Sequence, residues 1–342
     1  MRTMIWTEET LEERISRPGA ADVAFAKQVE GDIAILGVGG KMGPTLAMLL
    51  RRSFTAAGKK NRIYGVARFS EPGLADRLRE HGIEPVAADL LDSDALGKLP
   101  EVPNVIYMAA RKFGTTGSEH LTWAMNAQLP AMMAERYRDS RIVCFSSGNV
   151  YPLVLVVQGG ATETTIPAPV GEYAQSVLGR ERALEYAAAK WGTKSCLLRL
   201  NYAIDLRYGV LLDIAKTVYE GRGVDLRMPL VNVIWQGDAN SVCFRALGHC
   251  EAPPSVFNLT GPETLSTRWI AQQFAQRFEC EASFIGEESS TALLNNAARC
   301  HRLFGYPSVT PEEMIDWTAD WILQGGKMSN KPTHFQTRDG RF

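Results

Sequence analysis

The chain has 342 residues, of which 45% are hydrophobic and 22% are charged, and its formal net charge is −1. This length allows one large α/β domain or two smaller ones with a substantial core. The balanced charge gives no indication of a nucleic-acid partner or of an anionic membrane. Six scattered cysteines form no Cys-x-x-Cys pair, and five histidines show no metal-ligand spacing. We therefore expect a reduced, cytoplasmic protein without a metal site.

Residues 1–30 precede the first predicted strand and are expected to form a helical arm. Thr10 and Glu13 have the spacing of a capping box, and Leu11 and Ile15 share one helical face. No apolar run follows the first residues, so we expect no secretory signal. The arm is expected to pack on the body of the protein or on a partner subunit, and a solvated tail is the alternative.

The most informative stretch is residues 32–47, where a short apolar run leads into a cluster of glycines and then into a helical pattern. Glycines at this spacing between a strand and a helix are typical of a dinucleotide-binding turn, where the pyrophosphate lies on free N–H groups of the helix N-terminus. An ordinary glycine-rich turn is the alternative. The loop residues that we predict to bind a cofactor are Gly37, Gly39, Gly40, Lys41, Met42 and Gly43.

A second predicted strand over residues 62–68 ends in Ala67 and Arg68. Dinucleotide sites usually have an acidic residue here, which binds the ribose hydroxyls. Arginine can instead bind the 2′-phosphate of NADP, so the sequence favours NADP(H) over NAD(H) and makes Arg68 a candidate cofactor contact. A surface charge without a role in binding is the alternative.

Further strands are predicted over residues 84–90, 105–110 and 141–145, with helices between them. This alternation indicates an α/β fold with a doubly wound parallel sheet. Right-handed crossovers would bring the C-terminal ends of the strands, and hence a site, to one edge. The fourth strand ends in Ala109 and Ala110, whose small side chains leave room for a cofactor.

Beyond residue 205 the pattern is less regular. We predict helices over residues 208–219 and 311–323, a strand over residues 231–235, and a helix plus a strand over residues 264–286. The residues from 325 onwards are polar and are expected to be mobile.

Two polar side chains can point into the cleft above a cofactor. Ser147 follows the fifth strand, and Tyr173 begins a later helix. With these residues the chain resembles the extended short-chain dehydrogenase/reductase family, in its NAD(P)-dependent epimerase/dehydratase branch. The resemblance extends from about residue 32 to about residue 324.

The resemblance rests on the order and spacing of several short motifs. They are Gly37-x-x-Gly40-x-x-Gly43 for the nucleotide fingerprint, Asp89-Leu90 for the adenine-contacting pair, Ser147-x-x-Val150-Tyr151 for the active-site serine segment, Asn126 for a structural asparagine and Tyr173 for the catalytic tyrosine. The resemblance implies that Tyr173 and Ser147 are catalytic. It also implies that Asp89, Leu90 and Asn126 belong to the cofactor site.

The resemblance implies a Rossmann-type doubly wound parallel sheet with a smaller C-terminal substrate-binding lobe. The Rossmann domain is expected over residues 31–205, after the arm of residues 1–30. Segments near residues 231–262 are expected to return to it. A mainly substrate-binding lobe over residues 206–325 and a polar tail over residues 326–342 complete the expected organisation.

The implied activity is that of an NAD(P)-dependent oxidoreductase or epimerase acting on a hydroxylated sugar or a sugar-nucleotide-like substrate. In such a mechanism Tyr173 exchanges a proton with a substrate hydroxyl while hydride passes to or from the nicotinamide. Ser147 hydrogen-bonds the same oxygen and orients it.

The chain departs from the family in two places. The family has a lysine four residues after the catalytic tyrosine, one helical turn along the same face, and this chain has Val177 there. Arg180 is a poor replacement because its reach differs, and Lys41 and Lys190 have less support. The Asp-Glu pair of the sugar-nucleotide 4,6-dehydratases is replaced by Gly148-Asn149, so dehydration of that kind is not expected.

The missing lysine keeps a second functional hypothesis open. The protein could be a catalytically weakened NAD(P)-binding protein that acts as a sensor or scaffold. For its assembly, the resemblance implies a two-fold homodimer formed through the helix at residues 173–190 and the helix near Asn126. The small and aliphatic side chains of the first helix include Val177, Leu178, Leu184 and residues 187–189.

Overall fold

The computed structural model describes residues 5–112, 114, 117–329 and 331–341. Residues 1–4 of the expected arm, and residues 330 and 342 of the expected tail, lie outside these. The strands are β1 (Ile33–Leu36), β2 (Ile63–Ala67), β3 (Glu84–Ala87), β4 (Asn104–Tyr107), β5 (Arg141–Ser147), β6 (Val154–Leu155), β7 (Ser195–Leu200), β8 (Ala203–Ile204), β9 (Gly223–Asp225), β10 (Leu230–Val231), β11 (Ile234–Trp235), β12 (Ser255–Leu259), β13 (Leu265–Ser266), β14 (Ser283–Ile285) and β15 (Thr291–Ala292).

The α-helices are α1 (Glu8–Ile15), α2 (Ala20–Gln28), α3 (Gly43–Ala56), α4 (Leu74–Glu80), α5 (Ser93–Gly97), α6 (Glu119–Trp123), α7 (Leu129–Arg136), α8 (Gly171–Trp191), α9 (Val210–Tyr219), α10 (Gln236–Arg245), α11 (Thr267–Arg277), α12 (Ala298–Phe304) and α13 (Pro311–Leu323). A π-helical turn, Ala124–Gln128, joins α6 to α7, and short 3-10 turns are formed by Gly148–Val150, Val156–Gln158 and Ala246–His249. In the described part of the chain, no helix combines the length and the apolar character that crossing a bilayer requires.

A central parallel sheet of seven strands has the order β12-β7-β5-β4-β1-β2-β3. The chain starts in the middle, runs outwards through β2 and β3, and then returns beside β1 through β4. This confirms the predicted doubly wound fold. The strand order reverses between β1 and β4, and ligands of such sheets bind in the crevice outside the carboxyl ends at this point.

Both faces of the sheet are covered, which explains why its strands are nearly continuous apolar runs. All four residues of β1 are completely buried. Ile33 and Ile35 belong to the apolar cluster that includes α3 and α10, whereas Ala34 and Leu36 belong to the cluster that includes α7 and α8. Alternate residues of one strand thus anchor opposite helical layers.

A separate apolar cluster forms the core of the C-terminal part, with residues from α9, α11 and α13. The N-terminal arm contributes Trp6, Leu11 and Ile15 to it. Helix α1 begins one turn earlier than the sequence suggested, because Thr7 and Thr10 form the capping box. Glu13 instead forms an ion pair with Arg17.

The single strand predicted over residues 231–235 is wrong. Strand β10 pairs antiparallel with β13, and β11 pairs parallel with β8, and neither belongs to the central sheet. Asn232 interrupts the run because its side chain serves other partners. Its amide donates to the Glu263 carbonyl (2.9 Å), and its oxygen accepts from the Asn295 N–H (2.9 Å).

The expectation of a mobile C-terminal tail is also wrong for the described residues 331–341. Phe335 is 7% exposed and joins the C-terminal core. The Thr333 N–H and hydroxyl both donate to Asp213 Oδ2, at 2.7 and 2.6 Å, and Arg338 Nη1 donates to the Thr291 carbonyl at 2.9 Å. These contacts could not be predicted from the polar composition of the segment, because one aromatic side chain and a few hydrogen bonds are enough to hold it.

All six cysteines lie in the described residues and are unpaired. Five are buried, and burial raises the pKa of the thiols of Cys144, Cys196 and Cys300 to about 12. Cys280, just after α11, is the exposed one.

A buried ion pair ties α8 to the central sheet. Glu181 is completely buried and accepts two hydrogen bonds from Arg199 of β7, at 2.9 and 2.6 Å. The same arginine donates to the Tyr151 hydroxyl at 2.7 Å. Because removing one partner of a buried pair leaves an uncompensated charge, the pair is sensitive to substitution.

We expect Glu181→Gln to lower the free energy of unfolding by about 3–5 kcal/mol, because Arg199 then remains charged without its carboxylate. Glu185→Gln, on the same helix but in an exposed pair with Arg182, is the matched control and should change it by no more than about 0.5 kcal/mol. Urea unfolding followed by circular dichroism measures both. Equal effects of the two substitutions on the free energy of unfolding would contradict the stabilising role of the Glu181–Arg199 pair.

Candidate active site

The glycine loop between β1 and α3 brings three backbone segments together. Gly37 has φ +95°, and a Cβ there would lie 2.6 Å from the Ala109 nitrogen at the end of β4. A Cβ on Gly43 would lie 2.1 Å from the Val38 carbonyl oxygen. Side chains at these two positions are excluded, so α3 can start directly above the end of β1 with its N-terminus open to the crevice.

A cavity of about 420 Å³ lies at the carboxyl ends of β1, β2 and β4. Eight of the predicted cofactor residues line it: Gly37, Gly39, Gly40, Arg68, Asp89, Leu90, Ala109 and Ala110. Its size suits a small-molecule ligand. The glycines and alanines among them leave room beside a helix N-terminus for the phosphate and adenosine portions of a dinucleotide.

The other predicted loop residues are placed differently. Lys41 lines an adjoining cavity of about 390 Å³, together with Gly39 and Gly40. Met42 packs against the core of the sheet, and neither Met42 nor Gly43 lines either of these cavities. Their contribution is therefore to the packing of the loop.

Asn126 is completely buried at the centre of the π-helical turn, and its carboxamide is fully used inside the protein. Its oxygen accepts from the Arg111 N–H (2.9 Å) and from Arg180 Nη2 (3.1 Å). Its amide donates to the Arg111 carbonyl (2.8 Å) and to Ser176 Oγ (3.0 Å). Asn126 does not line the cavity and supports the loop after β4, so its predicted place in the cofactor site stays a prediction.

The two predicted catalytic side chains meet at the same edge of the sheet. Ser147 is the last residue of β5 and Tyr173 lies in the first turn of α8, each 8% exposed. The Ser147 hydroxyl donates to Asn149 Oδ1 (2.9 Å) and accepts from the Asn149 N–H (3.2 Å). Burial raises the pKa of Tyr173 above its usual value, while the positive charge of Arg180 and the neighbouring Ser147 hydroxyl act in the opposite direction.

Val177 fills the space one turn further along α8. It is completely buried and packs with Val150, Tyr151, Ala161 and Tyr173. Arg180 lies on the same side of the helix, but its guanidinium donates to the Phe145 carbonyl (2.5 Å) and to Asn126. It therefore acts on Tyr173 through its charge while being held by other groups.

Sequence reasoning missed Lys112, which lies beside Tyr173. The Lys112 Nζ lies 5.8 Å from the centroid of the Tyr173 ring, and the Lys41 Nζ lies over the Tyr208 ring. Burial lowers the pKa of Lys112 to about 8 and that of Lys41 to about 7, whereas the charge of Asp213 opposes both shifts. Lys112 follows the predicted small residues of β4 closely, but its contact with α8 depends on the fold of the loop.

Comparison with known proteins agrees with this geometry. Residues 33–204, just over half of the chain, match the NAD dependent epimerase/dehydratase family. No curated protein matches the chain. Among solved structures, a UDP-glucose 4-epimerase from Thermotoga maritima with UDP-glucose has a TM-score of 0.70 at 16% identity, covering 86% of this chain and 99% of that one.

Two further structures have the same fold. The UDP-glucose 4-epimerase of Thermus thermophilus in complex with NAD has a TM-score of 0.68 at 19% identity, over 84% of this chain and 98% of that one. The dTDP-glucose 4,6-dehydratase of Streptomyces venezuelae with NAD and TYD bound has a TM-score of 0.72 at 16% identity, covering 86% of this chain and 97% of that one. Together with the family match, the glycine loop, the cavity and the Ser147–Tyr173 pair show that the chain belongs to the NAD-dependent epimerase/dehydratase family of enzymes.

Proposed function

We propose that the protein is an NAD(P)-dependent oxidoreductase or epimerase acting on a hydroxylated sugar or sugar-nucleotide-like substrate. The observation that carries this proposal is that Ser147, at the end of β5, and Tyr173, at the start of α8, lie together at the strand edge that also holds the cofactor cavity. The names of the similar structures, which include UDP-glucose and dTDP-glucose enzymes, support a sugar nucleotide as the substrate class.

In this proposal Tyr173 exchanges a proton with a substrate hydroxyl, and Ser147 hydrogen-bonds the same oxygen and fixes its direction. The glycine loop and the N-terminus of α3 hold the pyrophosphate, while Asp89 and Leu90 line the cavity beside the adenosine. When bound, the nicotinamide supplies the acceptor or donor of hydride.

Tyr173→Phe removes the proton donor while keeping the ring, so we expect turnover to fall by on the order of 100-fold or more, with little change in cofactor affinity. Tyr219→Phe is the matched control, because Tyr219 is 54% exposed at the end of α9 and belongs neither to the candidate site nor to the proposed interface. Cofactor absorbance, followed with a panel of sugars and sugar nucleotides, measures hydride transfer, and product analysis by NMR detects epimerisation. Undiminished turnover in Tyr173→Phe would refute the assigned role.

The second candidate is a cofactor-binding protein with little turnover. Val177 at the expected lysine position, and a pKa of Tyr173 that burial raises, favour this alternative. A bound and reducible NAD(P) is compatible with both functions and does not separate them. Hydride transfer to or from a member of the sugar panel supports the enzyme, and its absence with every member supports the sensor or scaffold.

NADP(H) is the proposed preference because Arg68 is exposed at the end of β2 and lines the cofactor cavity. A charge-assisted contact to the 2′-phosphate contributes about 1.5–3 kcal/mol. We expect Arg68→Ala to weaken NADP(H) binding by on the order of 10- to 100-fold and to leave NAD(H) binding nearly unchanged. Fluorescence titration of both cofactors measures this, with Arg138→Ala on the exposed surface as the control. Equal or reversed affinities in the native protein would exclude the preference.

We also propose a homodimer formed through α8 and the neighbouring α6. Val177, Leu184 and Ala187 are completely buried within the chain, so the proposed interface uses the exposed side of α8. Tyr186 lies on the exposed side of α8, two turns after Gly179. Trp123 of α6 packs against α8 at Gly179.

Light scattering at micromolar concentration is expected to give the mass of two chains. Tyr186→Glu should give the mass of one, because it places a charge in the apolar contact. Tyr219→Glu, an equally exposed tyrosine at the end of α9, is the control and should remain dimeric. A native protein with the mass of a single chain would contradict the dimer.

A further inference from the structure

The buried phenol of Tyr173 needs a positive charge nearby if it is to exchange a proton readily near neutral pH. One turn later on α8, Val177 lies in an apolar cluster and brings no charge. Two turns later, Arg180 is held by the Phe145 carbonyl and by Asn126. Arg180 is therefore the cation that α8 supplies near Tyr173. Its guanidinium is hydrogen-bonded to the backbone of β5 and to Asn126 of the π-helical turn.

The loop after β4 brings a second cation to the same side chain. Lys112 lies on this loop, with its Nζ 5.8 Å from the centroid of the Tyr173 ring and its side chain half-buried. A cation within about 6 Å of a ring centroid interacts electrostatically with the ring. The distance places the Lys112 ammonium within this range of the side chain whose oxygen exchanges the proton.

The position of this lysine is set by the scaffold. Asn126 accepts from the N–H of Arg111 and donates to its carbonyl, so both polar backbone groups of the residue before Lys112 are fixed. Asn126 also binds Ser176 and Arg180 of α8. One buried carboxamide thus holds the loop that carries Lys112 against the helix that carries Tyr173.

We propose that Lys112 is a positioning residue for Tyr173, whose ammonium group stabilises the negative charge that develops on the Tyr173 oxygen. The inference rests on the proposed function, in which Tyr173 exchanges a proton with the substrate. It assigns to a loop lysine the positive charge that the neighbouring turn of α8 does not supply.

The charges around the pair determine the pH dependence. The charged and titratable groups that act on Tyr173, on Lys112 or on their direct neighbours are Arg180 of α8, Lys41 of the glycine loop, Tyr202, Tyr208 and Asp213 of the C-terminal lobe, and Lys331 and His334 of the tail. Because burial lowers the pKa of Lys112 to about 8, its charge is present below pH 8 and is lost as the pH rises through that value. Its assistance is therefore greatest near neutral pH.

Two substitutions of Lys112 distinguish the effect of its charge from the effect of its packing. Lys112→Met keeps the length of the side chain without the charge, and Lys112→Arg keeps a charge that does not titrate in this range. Lys190→Met is the matched control, because Lys190 lies on α8 about 25 Å from Tyr173 along the helix axis.

We expect Lys112→Met to lower kcat by on the order of 10- to 100-fold at pH 7, since a nearby cation lowers the pKa of an acidic group by about 1–2 units. KM should change little. Lys112→Arg should retain activity, including above pH 8, where the wild-type rate declines. Val177→Lys in the Lys112→Met background should restore part of the rate. The melting temperature of Lys112→Met should not fall, because the variant removes a desolvated charge.

A second measurement is independent of the substrate. The phenolate absorbance of Tyr173 is obtained as the difference between each protein and its Tyr173→Phe counterpart during an alkaline titration. Lys112→Arg should titrate at a pH lower by about 1–2 units than Lys112→Met. If the two variants titrate together, or if Lys112→Met turns over at the wild-type rate, Arg180 alone supplies the charge and the inference is wrong. If no substrate is turned over by the wild type, the proposed function fails, and the titration still decides the role of Lys112.

Discussion

The structure depends on the absence of side chains where α3 meets the end of β1. A single methyl group at Gly43 would overlap the Val38 carbonyl, and one at Gly37 would overlap the backbone of β4. These two approaches set the height of α3 above the sheet and the separation of β1 and β4 at their carboxyl ends. The cofactor cavity is the space that remains between them, so its shape is determined by backbone contacts before any ligand-binding side chain is considered.

The central sheet was predictable from the sequence because its strands are buried on both faces. Continuous apolar runs such as β1, separated by amphipathic helices, indicate one class of fold and one site edge. The segment around Asn232 was not predictable in the same way. A polar residue with partners in distant loops interrupts an otherwise strand-like run, and only the folded chain brings those partners within reach. The N-terminal cap of α1 was assigned to Thr10 instead of Thr7, because both threonines fit a capping pattern within the same turn.

The candidate site was predictable to the extent that its residues belong to local motifs. The glycine loop, Ser147 and Tyr173 could be identified from spacing and from resemblance to a family. Lys112 could not, because its relation to Tyr173 depends on how the loop after β4 folds against α8, about 60 residues away in the chain. The π-helical turn around the buried Asn126 has no signature in the sequence beyond Asn126 itself. Which side chains of α8 face solvent was not predictable either: Val177, Leu184 and Ala187 are buried within the chain, whereas Tyr186 is exposed.

The burial of five cysteines makes the remaining one chemically distinct. A thiol with a pKa of about 12 is almost entirely protonated at neutral pH, and alkylating reagents attack the thiolate. Cys280 is exposed and follows α11 in the C-terminal part, so a maleimide fluorophore or spin label should attach there selectively in the native protein. The wild-type sequence thus provides a single exposed thiol on the lobe, to which a reporter group can be attached without introducing a new cysteine.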